Sequence, residues 1–187
     1  MLIYPIAKNP DPCGRMGPRD RQDWYRACQE AVAFADAAAG SQQANGIRIL
    51  TLSARTDPVN ELEWYRKALH EIGLPLQQLT EIAECTETTC QVRLTLGIAD
   101  KSDEPLYVFA TWLHWPRVAW LYWWYNAHGV TVRVYPAFGL PRWPDALTDI
   151  ILTALVPLIN ISDRFLHTEL EARLIRYTLR SRSAKRS

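Results

Sequence analysis

The sequence predicts an α/β fold: a three-layer, Rossmann-like, mostly parallel sheet with helices on both faces and extra helices at the C-terminal end. Three observations predict it. Short runs of strand type alternate along the chain with longer segments of helical period. That alternation implies right-handed crossovers, and therefore parallel strands covered on both sides. The length of 187 residues suits one domain, residues 1–180, which would bury about 70 % of its unfolded surface.

The elements follow in order. Residues 2–7 read as a short strand, and Pro5, Pro10, Pro12, Gly14, Gly17 and Pro18 make the rest of the first 18 residues a loop. From 19 to 39 the apolar positions Trp24, Ala27, Ala31, Phe34 and Ala38 recur at helical spacing, and Gly40 ends the pattern. Residues 47–53 form the second strand. Asp57 and Pro58 then supply a cap and a first helical position for a helix with Leu62, Tyr65, Leu69 and Ile72 on one face, stopped by Gly73 and Pro75. A short strand is expected within 76–83, and a helix from the threonines at 86–89 to about Ile98. Residues 100–105 read as a charged turn, 106–111 as a buried strand, and 130–135 as an alternating strand. Residues 145–158 and 162–180 are expected to be two helices interrupted at Pro157, and 181–187 a basic, disordered tail.

Between strand 106–111 and its following helix lies Thr111-Trp-Leu-His114-Trp-Pro116-Arg117. Pro116 suits the first helical position, which puts Arg117 in the first turn, facing the positive end of the helix dipole. A cation there loses roughly 0.3–1 kcal/mol unless an anion sits with it. The loop is therefore a candidate anion site; the alternative is that Arg117 bends into solvent or pairs with a nearby carboxylate. His114 is either a proton donor or shuttle beside that anion, or only a cap for the helix. In a parallel sheet, ligands bind at the carboxyl ends of the strands near a switch in strand order, and this rule sets residues 53–57 and 111–117 at one edge.

Several function classes are excluded or disfavoured. Lys and Arg number 21 against 20 Asp and Glu, a net +1, so no global field favours nucleic acid, and no nucleic-acid partner is expected. No dinucleotide fingerprint or P-loop occurs, and Ser53 between Leu52 and Ala54 is not a nucleophile elbow. Cys13, Cys28, Cys85 and Cys90 form no C-x-x-C pair, so no metal site is assigned and the thiols are expected to be reduced. The N-terminus has no signal-peptide pattern and no apolar run reaches about 20 residues, so a cytoplasmic chain without a transmembrane segment is expected. The tryptophan-rich helix after Arg117 is apolar nearly all round and is expected to be buried, in the domain or in an oligomer interface, with Trp112 and Trp115 as the exceptions.

The pattern resembles the DUF218 family, the YdcF/SanA/ElyC-like bacterial α/β proteins. The family's T-S-x-x-H-x-P-R-A segment is matched by Thr111-Trp-Leu-His114-Trp-Pro116-Arg117-Val-Ala119. Its S-G-G followed by a helix with an early Glu is similar to Ser53-Ala-Arg55 with Glu61, and its G-[IV]-P to Gly73-Leu-Pro75. Its acidic/Asn turn is echoed by Glu81 or Glu84 and by Thr88 with Gln91. Its ending looks like Pro157, Ser162, Leu166-His167 and Tyr177-Thr-Leu179. Ala54 and Arg55 replace two glycines that would let a backbone approach a ligand, which marks a diverged member.

The resemblance implies a soluble protein binding a small anionic or nucleotide-like ligand, with a phosphate-containing, cell-envelope-related substrate as the class it would act on. Thr111 and Arg117 would bind the ligand with Ser53, Arg55 and Thr88, while His114 and Glu61 are the candidates for acid/base or orienting work. Two rival expectations stand beside it. One is a non-catalytic interaction protein, a homo-oligomer among the options, using the Trp-rich helix and the C-terminal helices. The other is S-adenosylmethionine binding, by family analogy alone.

Overall fold

In a computed structural model of the chain, the described residues are 1–6, 18–38, 48–53, 70–71, 79–83, 88–138, 143–166 and 170. Five strands, β1 (Leu2–Pro5), β2 (Arg48–Ser53), β3 (Leu79–Ala83), β4 (Leu106–Thr111) and β5 (Val132–Ala137), form one sheet in the order β3-β2-β1-β4-β5. All four pairings are parallel. Among the described residues the helices given over their length are α1 (Pro18–Ala38), α2 (Thr88–Ser102), α3 (Trp115–Tyr125) and α4 (Trp143–Leu166). The predicted α/β architecture is therefore the one observed.

The order of the strands explains where the helices lie. From β1 the chain steps outward to β2 and β3, then returns across the sheet to β4 and steps outward the other way to β5. Crossovers of one hand that run in opposite directions must use opposite faces. On one face α1 lays Ala27, Ala31, Val32 and Ala35 on Ile3, Phe109 and Ala137. The small residues let the helix come close, and Phe34 fits among Tyr107, Phe109 and Tyr135 at ring separations of 4.8, 5.7 and 5.6 Å. On the other face Val92, Leu96 and Ala99 of α2 and Val118 and Leu121 of α3 cover Leu2, Tyr4, Leu50, Val108 and Ala110.

Two buried polar pairs are closed inside this second layer. The Tyr4 hydroxyl donates to Gln91 Oε1 at 3.0 Å, and the Tyr122 hydroxyl shares a 2.7 Å hydrogen bond with Thr95 Oγ1. Burial drives the Tyr122 phenol above its ordinary range, the Thr95 bond opposing, so it stays neutral and serves packing. At the amino edge of the sheet, Glu104 receives the Met1 ammonium at 2.6 Å and the Arg48 guanidinium. Burial pushes this carboxyl up, but the ammonium, Arg48 and Ser102 outweigh it and hold it down at about 2.

Several expected boundaries are corrected. The helix ending at Ile98 continues to Ser102, because Asp103 adopts φ 52° and turns the chain there while Glu104 N–H reaches the Ala99 carbonyl at 3.1 Å. The last strand begins two residues later than expected, at Val132. The Asn126 side chain holds both backbone groups of Val130, at 2.7 and 2.9 Å, and keeps it in the turn. Pro157 does not divide two helices: α4 runs through it. Val156 on the core and Asn160 bonded to Trp120 and Tyr125 hold the chain on α3 on both sides of the proline, which compensates for one lost backbone bond.

The thiols are also corrected. Cys28 is a buried free thiol pushed up by burial, but Cys90 is disulfide-bonded. Pairing needs only thiols brought within reach by the fold, whatever their sequence spacing. Of the helix expected after Asp57, only His70 and Glu71 are described, and they are helical; the tail at 181–187 also lies outside the described residues. No helix among the described residues is long and apolar enough to cross a membrane.

Candidate functional site

Because every pairing is parallel, the carboxyl ends of the strands share one edge, and the strand order reverses between β1 and β4. Leu2 lies opposite both Arg48 and Leu106, and the same register brings the backbones of Ser53 and Thr111 to one level. Thr88 opens α2 beyond β3 on the same edge. The expected meeting of Ser53 and Thr111 at one edge is thus met at the level of the backbone. Arg55 and Glu61 lie outside the described residues.

The turn after β4 is built from the strand's own end. His114 N–H donates to the Thr111 carbonyl at 2.9 Å, Trp112 N–H to Ala137 of β5 at 3.0 Å, and the His114 carbonyl then accepts Val118 N–H, the first bond of α3. Pro116 sits in the first turn, where its missing N–H leaves no gap, and Arg117 follows it, as predicted. His114 occupies the cap position in a helical conformation and its side chain makes no capping bond. The capping role weighed for it is not the one it takes.

Both side chains turn inward. His114 and Arg117 are buried, at 5 % and 8 % exposure, against the buried Asp149 of α4. Arg117 Nη2 stands 2.6 Å from His114 Nδ1 and 3.3 Å from Asp149 Oδ1, and Nδ1 is itself 3.3 Å from that oxygen. A guanidinium nitrogen can only donate, so in the contact with Arg117 the Nδ1 lone pair is the acceptor, an arrangement that suits the tautomer with its proton on Nε2. The Asp149 carboxylate lies beside both groups. Burial pulls the Arg117 guanidinium below its ordinary value while the Asp149 charge opposes the shift, and the group stays a cation. Its Nε has no hydrogen-bond partner among the described residues.

The anion that the first-turn arginine calls for is thus present in the chain itself. Asp149 was not among the residues singled out from sequence; its signal was an acid set just before the apolar run Ile150-Ile151-Leu152. What the arrangement offers chemically is a buried cation with a spare donor, a fixed imidazole N–H, and a helix N-terminus, all at the strand-switch edge.

The tryptophans divide. Trp112 and Trp115 are exposed, as expected, and Trp115 Nε1 donates to the Val134 carbonyl at 2.9 Å, tying α3 to the edge strand. Trp120 and Trp124 are half-buried, with Arg164 over the Trp124 ring, but Trp123 is 68 % exposed, so of the two expectations for this helix, burial within the domain does not hold for all of it. An eleven-residue helix lying on one sheet face between two neighbouring helices still leaves a side uncovered. No family model matches the chain, and neither a curated protein nor a solved structure matches it.

Proposed function

We propose that the chain binds a small anionic ligand, phosphate-bearing or nucleotide-like, in the crevice outside the carboxyl ends of β1 and β4, as a diverged DUF218-like protein. The observation that carries this reading is the buried guanidinium of Arg117 in the first turn of α3, beside the point where the strand order reverses. Asp149 takes Nη2 and leaves Nε as a donor for a ligand oxygen, while the first turn of α3 adds backbone N–H groups that have no partner within the helix. In this reading His114 donates through Nε2 rather than acting as a base through Nδ1, which already accepts from Arg117. Thr111, Ser53 and Thr88 contribute from the same edge, with Arg55 and Glu61 in the segment that follows β2. A phosphate-containing, cell-envelope-related substrate is the class the DUF218 resemblance implies. S-adenosylmethionine rests on that resemblance alone, and a calorimetric titration without heat of binding removes it.

The test is a thermal-shift panel of inorganic phosphate, nucleotides and phosphate esters. At least one should raise the melting temperature of the native chain. Arg117→Lys keeps a cation for Asp149 but loses the planar fork, and His114→Gln removes the imidazole; both should fold and lose the shift. Shifts that survive in both variants overturn the site. A cytoplasmic location belongs to the same proposal and has a separate check: in fractionated cells the chain should follow a cytosolic marker, and recovery from the cell envelope or from outside the cell overturns the compartment.

A further inference from the structure

The outer side of α4 carries a pattern that neither the core nor the candidate site uses. Leu147, Ile151, Ala154, Leu158, Ile161 and Phe165 follow one another at spacings of four and three residues, the 3.5-residue period of a coiled-coil seam. All six are exposed, the five large ones between 40 % and 73 %, and Ile150 and Leu155 flank the row. The row together with the flanking Ile150 and Leu155 exposes on the order of 700 Å² of apolar surface, beyond the ~300–600 Å² patch of a typical monomer and close to the ~800 Å² each partner gives to a standard interface.

We infer that a second copy of this chain covers the stripe, α4 against α4 in antiparallel orientation. The seam is its own complement. Reversed about its midpoint, it sets Leu147 against Phe165, Ile151 against Ile161, and the small Ala154 against Leu158. A contact between like surfaces closes as a two-fold dimer and does not propagate into a filament. Antiparallel helices also place opposite dipole ends together. A lipid surface fits less well, because interfacial helices carry Lys and Arg beside their apolar face. α4 carries three aspartates and one arginine. The inference rests on the outer face of α4 alone and stands or falls apart from the ligand reading.

Sedimentation of the full chain across a concentration series tests it. The expected result is a species of twice 21.5 kDa that Leu158→Glu and, separately, Ile161→Lys convert to monomer with unchanged circular dichroism. Mixed chains bearing Leu147→Cys and Phe165→Cys should form a disulfide with each other, which only the antiparallel arrangement permits. A monomer at every concentration, or a dimer untouched by either charge, overturns the inference. So does binding of native monomer to phosphatidylcholine or phosphatidylglycerol vesicles that Leu158→Glu abolishes. Self-pairing of Leu147→Cys overturns the orientation.

Discussion

The two faces of α4 invert the usual assignment of side chains. Its inner row, Ala146, Asp149, Thr153, Val156 and Asn160, lies against α3 and the turn after β4 and is mostly polar. Its outer row, about half a helical turn away around the axis, is mostly Leu, Ile and Phe and faces solvent. Two of the inner polar residues are recruited by a need elsewhere, Asp149 by the Arg117 guanidinium and Asn160 by the Trp120 indole N–H and the Tyr125 hydroxyl, while the Thr153 hydroxyl has no hydrogen-bond partner among the described residues. Where a neighbouring element buries a charge or a donor, the helix that packs on it must bring a partner, because an unpaired buried charge costs more than the apolar contact it displaces gains. The outer face has no such demand from within the chain, and its sequence is free to answer a demand from outside.

Substitutions on the two faces should therefore behave differently. Asp149→Ala leaves the Arg117 charge buried without its carboxylate and should cost about 3–5 kcal/mol in denaturant unfolding. The double variant Arg117→Met with Asp149→Leu should recover that loss, ending between neutral and roughly 1–4 kcal/mol more stable than the native chain. If Asp149→Ala is mild, the latch between α4 and the α3 turn is not what holds them. Asn160→Ala should cost about 1–3 kcal/mol by stranding the Trp120 donor, and the Trp120 fluorescence should shift as its indole loses its partner. On the outer face, Leu158→Ser should change the stability of the monomer by no more than about 0.5 kcal/mol in a dilution series. A large loss there would erase the distinction between the faces.

A control lies at the other edge of the sheet. Because Glu104 titrates near 2 in the folded chain against its ordinary 4.5, its stabilisation is complete above about 4.5 and is lost as pH falls toward 2. Glu104→Gln should flatten that part of an acid-unfolding profile and leave the response of the α4 variants at neutral pH as it was.

The parallel architecture was legible because it is written locally, in apolar runs and helical periods read a few residues at a time. β4 was read with its observed ends, and the first-turn position of Arg117 followed from Pro116 alone. What could not be read is what depends on distant residues. Asp149 is 32 residues from Arg117 in the chain, and nothing local marks the two as partners. Pro157 reads locally as a break, yet contacts to α3 on both sides of it carry the helix through. The start of β5 moved because one asparagine side chain outbids the strand for Val130. Hydrophobicity alone left open whether Trp123 would be covered by the domain or by another copy, and within the domain it is exposed, like the outer face of α4.

The central position of β1 has a consequence for how the chain comes into being. Its neighbour β4 begins more than one hundred residues later, and Met1 meets Glu104 across a separation of 103. A ribosome adding ~5–20 residues per second needs roughly 5–20 seconds to bring β4 out after β1. During that interval Leu2, Ile3 and Tyr4, which end fully buried, have, of the two described strands that flank them, β2 alone to pair with. The sheet closes late, from its middle, and the nascent chain carries an open, apolar strand edge until it does.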